Sequence, residues 1–191
     1  MQFKTIAFLS ILSILFFAGC DSKENKENKE DTAETKVEKI EKREKRTEFQ
    51  LMATDNSPIN IKLENDKIIL KEHPGKIVIL TFFATWCPPC KIEIPNLIKL
   101  QEDYKNDLVV VSILLEEMKT NEDLLAFIKE YKINYTVTNS PDGFEFAKDL
   151  GGVKSIPTMY LLDKEGTIFQ KYVGLVPNEM MEIDIKKVLE K

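Results

Sequence analysis

Apolar positions along this chain fall into two regimes with a charged stretch between them. Residues 6–18 are an almost unbroken apolar run, residues 21–48 are dominated by Lys and Glu, and from Phe49 onward short apolar runs alternate with stretches of helical period. Residues 49–52, 59–63 and 68–70 read as short strands or edge segments, the middle one alternating as a half-buried strand does. Ile77–Phe83 and Leu108–Leu114 are continuous apolar runs of strand length, the pattern of strands covered on both faces. On a strand Phe82 and Phe83 point to opposite sides, so at least one of them is core. Amphipathic stretches follow each run: residues 91–104, Asn121–Tyr131 with Thr120 or Asn121 as cap, and a short helix over 143–150. A short strand is expected at 135–137, and a hairpin from Thr158–Leu162 through the turn 163–166 to 167–172. Pro177 opens a terminal helix. Strands alternating with helices and closed by a hairpin and helix describe an α/β fold, a mixed sheet flanked by helices.

The length of 191 residues suits one domain with extensions. Residues 1–19 read as a signal peptide, 20–48 as a terminal cysteine plus charged linker, and 49–191 as the folded domain. The linker is too polar to build a core, though Glu38 with Lys42 and Glu41 with Lys45 have the spacing of a transient helix. The net charge of −5 is spread evenly, with no basic stripe, which argues against nucleic acid as a partner. Only three cysteines are present, Cys20, Cys87 and Cys90, so no structural disulfide framework exists and the core must hold the fold.

The chemistry concentrates in Trp86-Cys87-Pro88-Pro89-Cys90, between a buried-strand run and an amphipathic stretch. Two thiols at the first turn of a helix divide labour. The first meets unpaired backbone N–H groups and the positive end of the helix dipole, which favour its thiolate. The second lies one turn on, within disulfide reach, and can resolve a mixed disulfide formed by the first. Pro88 and Pro89 suit positions that need no N–H donor. A structural zinc site asks for four Cys or His ligands, and the supply beyond this pair is Cys20 and the single histidine, His73, which nothing places near Cys87. No metal site is expected, and no cofactor.

The apolar run 6–18 is short for a spanning helix and ends in Ala18-Gly19-Cys20, which resembles the lipobox of bacterial lipoproteins with Cys20 as the lipidated residue. The alternative is an uncleaved membrane anchor; either tethers the domain, with 21–48 as spacer. Asp21 resembles an inner-membrane retention signal of some Gram-negative bacteria.

From Phe49 on, the chain resembles the thioredoxin superfamily and, within it, the membrane-anchored TlpA/ResA-like thiol–disulfide oxidoreductases. Trp86 stands before the first cysteine, Pro95 matches a proline inside the active-site helix, Ile156-Pro157-Thr158 matches the cis-proline loop, and the excursion between Leu115 and Ser155 resembles the group's central insertion. The resemblance implies a thioredoxin-like sheet with an N-terminal strand extension. It implies substrate contacts from Trp86, Pro88, Pro89, Ile156 and Pro157, and a redox disulfide Cys87-Cys90. It also implies a role for Glu93. Plain thioredoxin has a buried aspartate where this chain has Thr81, which cannot ionise; Glu93, three residues after Cys90, matches the group's active-site glutamate and would exchange protons with the thiols. Lys91, Glu116 and Glu117 are expected to be ordinary solvated charges.

The function implied is an extracytoplasmic, membrane-tethered reductase of protein disulfides, with apocytochrome c as a candidate substrate and a transmembrane thiol protein as electron donor. A disulfide-forming oxidant uses the same residues at a different poise, and a Cu(I)-binding chaperone could use the same cysteines. A peroxidase reading lacks the proline and threonine that peroxiredoxins place ahead of their cysteine.

Overall fold

The computed structural model describes residues 44–191. Cys20, the signal-peptide reading over 1–19 and the linker up to residue 43 lie outside the described residues. The elements run β1 (Glu48–Met52), β2 (Pro58–Glu64), β3 (Lys67–Leu70), β4 (Ile77–Phe83), α1 (Pro88–Asp103), β5 (Leu108–Leu114), α2 (Asn121–Tyr131), β6 (Thr136–Thr138), α3 (Asp142–Asp149), β7 (Thr158–Leu162), β8 (Ile168–Val173) and α4 (Asn178–Leu189).

The main sheet has the order β6-β5-β4-β7-β8, with β4, β5 and β6 parallel and β7 and β8 antiparallel. The two apolar runs are its centre, and every residue of β4 is buried. Both Phe82 and Phe83 are core, on opposite faces. Val78, Leu80 and Phe82 face a layer made of β1–β3 and α3, whereas Ile77, Ile79 and Phe83 face α1, α2 and α4. This two-sided burial is why the run lacks the alternation of a half-exposed strand.

The three N-terminal strands form a separate antiparallel sheet, β1-β2-β3. The alternating pattern of β2 gave it strand character but could not say which sheet it joins. Single bridges, Ala53 with Thr138 and Lys67 with Thr167, link it to the main sheet. At the second junction Gly166 adopts φ +80°, and a Cβ there would lie 2.6 Å from the Ile68 carbonyl oxygen, so glycine is required for both conformation and space.

Ordered contacts begin inside the charged stretch. The Arg46 guanidinium bonds both carboxylate oxygens of Asp142 at 3.0 Å, its backbone N–H donates to Asp149, and it lies 4.9 Å from the Phe49 ring centroid. Charge composition hid this, since Arg46 sits among Lys and Glu residues of the same character. α2 is capped by Thr120, whose hydroxyl accepts the Asp123 N–H at 3.1 Å, and ends at Lys132 in the left-handed region.

Phe146 of α3 joins the layers, fully buried, with ring centroids 5.3 Å from Phe49 and 5.8 Å from Phe82. Truncating it empties a site walled by both sheets, neither of which can collapse inward freely. Phe146→Ala is expected to lower unfolding free energy by about 3–5 kcal/mol, measured by urea titration of the full-length chain.

Candidate active site

β4 ends at Phe83, and four residues later α1 begins with Cys87 as its N-cap, in extended backbone. The Cys87 sulfur accepts the Cys90 N–H at 3.2 Å, the bond a Ser or Asp cap would make. Pro88 and Pro89 occupy the first helical positions, where no N–H is needed. Cys87 and Cys90 are joined as a disulfide, with Cα atoms 5.3 Å apart. Both are buried, whereas Trp86 is 65% exposed beside them. Pro95 sits inside α1; it supplies no N–H and would cost about 3 kcal/mol in an uninterrupted helix.

The loop before β7 faces the disulfide. The Ile156–Pro157 bond is cis, and the Ile156 carbonyl oxygen lies 3.7 Å from the Cys87 sulfur. On reduction this contact can become an S–H···O hydrogen bond. The Pro157 carbonyl is taken by the Gly174 N–H, which fixes the loop against the end of β8. The structure thus brings together Trp86, Cys87, Pro88, Pro89, Cys90, Ile156 and Pro157 around one sulfur. Thr158 is a strand residue whose hydroxyl donates to the Ser155 carbonyl.

Glu116 departs from the sequence expectation. Its carboxylate accepts the Thr85 N–H at 2.9 Å and the Thr85 hydroxyl at 2.6 Å, so it pins the active-site loop from just beyond the C-terminal end of β5, the neighbouring parallel strand. A contact across 31 residues has no local signature. Lys91 departs as well, lying 5.9 Å from the Tyr131 ring centroid. His73 lies in the loop between β3 and β4, and burial lowers its pKa.

Glu93 is 1% exposed. One carboxylate oxygen accepts from Asn96 Nδ2 and the other from the Val176 N–H, both at 3.3 Å. Burial pushes its pKa above the ordinary carboxylate range, and the two donors hold it back only in part. With Cys90 it lines a cavity of about 10 Å³, closed by Thr81, Ser112, Tyr135 and Pro157. An acid poised this way can take a proton from a buried thiol and return it. The family resemblance flagged Glu93, three residues after Cys90, but not Ser112 or Tyr135. A polar residue interrupting each central strand, Thr81 in β4 and Ser112 in β5, was the available signal.

The raised pKa means that the folded state holds the Glu93 proton more tightly than the unfolded chain does. Its contribution to stability is therefore present below the unfolded carboxylate value, about 4.3, and is lost as pH rises through the folded pKa. Glu93→Gln lacks that loss. Urea unfolding of the oxidised protein should show the variant gaining on wild type as pH rises from about 4 through the raised folded pKa, and a constant difference would mean that Glu93 is not desolvated.

Comparison with known proteins agrees with this geometry. The family model described as "AhpC/TSA family" matches residues 43–171. Thiol-disulfide oxidoreductase ResA of Bacillus thuringiensis subsp. konkukian is 36% identical over 126 residues, covering 66% of this chain and 71% of the relative. A putative thiol:disulfide interchange protein DsbE from Chlorobium tepidum superposes with a TM-score of 0.60 at 27% identity, covering 74% of this chain and 93% of that one. The pneumococcal exposed lipoprotein thioredoxin from Streptococcus pneumoniae superposes at 0.58 with 26% identity, covering 75% and 99%. A strand-end Cys-x-x-Cys capping its own helix, a cis-proline loop facing it and these likenesses place the chain in the AhpC/TSA family, among the thioredoxin-like thiol–disulfide oxidoreductases of the ResA type.

Proposed function

We propose that this oxidoreductase works as a membrane-tethered, extracytoplasmic reductant of protein disulfides. The observation that carries the direction is what faces the Cys87 sulfur. It receives one backbone N–H, lies against the Ile156 carbonyl oxygen and, among the described residues, has no cation brought onto it, since Lys91 is turned over Tyr131. Strong thiol oxidants stabilise their reduced form through a deeply depressed thiol pKa. A carbonyl oxygen against the sulfur and an acid beneath the pair work in the opposite sense.

In the cycle that follows, the Cys87 thiolate attacks a substrate disulfide. A Cys87–substrate disulfide forms, the substrate's S–S bond breaks, and the departing substrate sulfur takes a proton. Cys90 then gives its proton to Glu93, attacks the Cys87 sulfur and closes the Cys87–Cys90 bond, releasing the second substrate thiolate to be protonated. The substrate gains two electrons and two protons, and the chain's dithiol becomes its disulfide. Renewal requires a thiol donor, and in an oxidising compartment that donor is a transmembrane thiol protein. Pro88, Pro89 and Trp86 offer an apolar rim, and the Ile156 backbone a pairing edge, for an extended polypeptide substrate such as apocytochrome c.

Tethering rests on Ala18-Gly19-Cys20 and the charged spacer behind it, supported by the likeness to a protein titled an exposed lipoprotein. Among the described residues no helix is long and apolar enough to cross a membrane.

The deciding measurement is the reduction potential of the Cys87–Cys90 couple in thiol buffers. A value of about −270 mV or lower is expected, and one near about −120 mV would make the protein a disulfide donor instead. Cys90→Ser should accumulate a mixed disulfide with substrate that Cys87→Ser does not form, read on a non-reducing gel. Cys20→Ser should abolish the incorporation of labelled fatty acid seen in wild type, and a wild type that takes up no label would leave the uncleaved anchor as the tether.

A further inference from the structure

Below Cys90 the apolar sheet carries a patch of hydroxyls. Thr81 and Ser112 are direct partners in the parallel β4–β5 register, each 2% exposed, on the face that meets α1. Tyr135, just before β6, lines the same small cavity as Ser112. Burial keeps its phenol neutral, and the nearby Glu93 charge acts in the same direction. These three groups line the small cavity together with Cys90 and Glu93. Its volume of about 10 Å³ takes one water molecule, and its walls offer more than the two to four polar partners a buried water needs. Tyr135 also borders a surface cleft with Asp55, Gln101 and Asn134, so it stands between the cavity and solvent.

Among the described residues no direct hydrogen bond joins Glu93 to Cys90; the carboxylate is held by Asn96 and the Val176 N–H. Nor does Glu93 form a salt bridge among them, so the titratable groups facing it are Cys90 from its own helix and Tyr135 from the segment before β6. Proton transfer between thiol and carboxylate therefore needs an intermediary with a fixed orientation.

We propose that Tyr135 is a positioning residue that orients a cavity water between the Cys90 thiol and the Glu93 carboxylate. The Cys90 S–H bond breaks as its proton passes to the water, and a proton of that water passes to a Glu93 oxygen. The Cys90 thiolate then bonds the Cys87 sulfur, and the Cys87–substrate bond breaks. This rests on the exchange cycle above and adds to it the residue that makes Glu93 a usable base. A neutral donor near a carboxylate favours its charged form, so losing the phenol hydroxyl raises the pH at which Glu93 ionises.

The test separates the two chemical steps in the full-length chain. Attack by Cys87 on a disulfide-bonded peptide and release of the peptide thiol by Cys90 are each followed by stopped flow across pH. Tyr135→Phe should slow release by about three- to tenfold, the worth of one hydrogen bond, and move its acid limb to higher pH while leaving attack unchanged. Ser112→Ala should do the same by removing a second hydroxyl from the cavity wall. In a Glu93→Gln background Tyr135→Phe should add nothing, because its effect passes through the carboxylate. Superimposable profiles for Tyr135→Phe and wild type would overturn the proposal. Equal slowing of both steps, or an undiminished effect in Glu93→Gln, would overturn it too. Wild type that exchanges with no disulfide would remove the cycle itself, whereas active wild type with an indifferent Tyr135→Phe removes only the role of Tyr135.

Discussion

The junction between β4 and α1 is the constraint on which the site depends. A strand buried on both faces delivers the chain to the surface of the sheet, and the next element must satisfy the free N–H groups of a helix start there. This chain does so with sulfur, since Cys87 is the N-cap and accepts the Cys90 N–H. Cys87 is thereby held by the same bond that starts the helix. Cys90, one turn on, is placed inward by that helix. A serine in place of Cys87 would keep the cap and lose the chemistry, so cap and nucleophile are separable functions of one position.

The rest of the fold keeps that junction in place. α1 is fixed from below by Ile94, Leu97 and Leu100 in the core, and the loop ahead of Cys87 is pinned by the two hydrogen bonds from Thr85 to Glu116. On the opposite side, the Gly174 N–H bond to the Pro157 carbonyl sets the cis-proline loop at contact distance from the sulfur. Three separate segments thus converge on Cys87, while the site's acid is buried beneath it. Trp86 is exposed beside the buried cysteines while Glu93 is buried with Cys90 around the small cavity, so the exposed rim and the acid are kept apart.

Much of the fold was legible because each element carries its own period. The runs Ile77–Phe83 and Leu108–Leu114 became the two central parallel strands with the bounds their apolar character suggested. The helix at Asn121–Tyr131 and the hairpin strand Thr158–Leu162 likewise follow local pattern. The short strand near residue 136 lies one residue later than its composition suggested. That single step leaves Tyr135 outside the strand, with its side chain free to reach the cavity. Its position is set by pairing with β5, which no local window contains.

The sequence by itself pointed to thiol–disulfide chemistry, because a Cys-x-x-Cys between a buried strand and a helix has few uses. The alternation of strands and helices was equally local, since hydrophobic period is a property of neighbouring residues. Only the tertiary structure decided that β1–β3 form a sheet of their own, that Arg46 belongs to the folded domain, and that Glu116 braces the active-site loop. It alone gathered Thr81, Ser112 and Tyr135 with Glu93 around one cavity. These outcomes depend on pairings between residues far apart in the chain, where the energy lies in who is buried against whom and no residue carries that information alone.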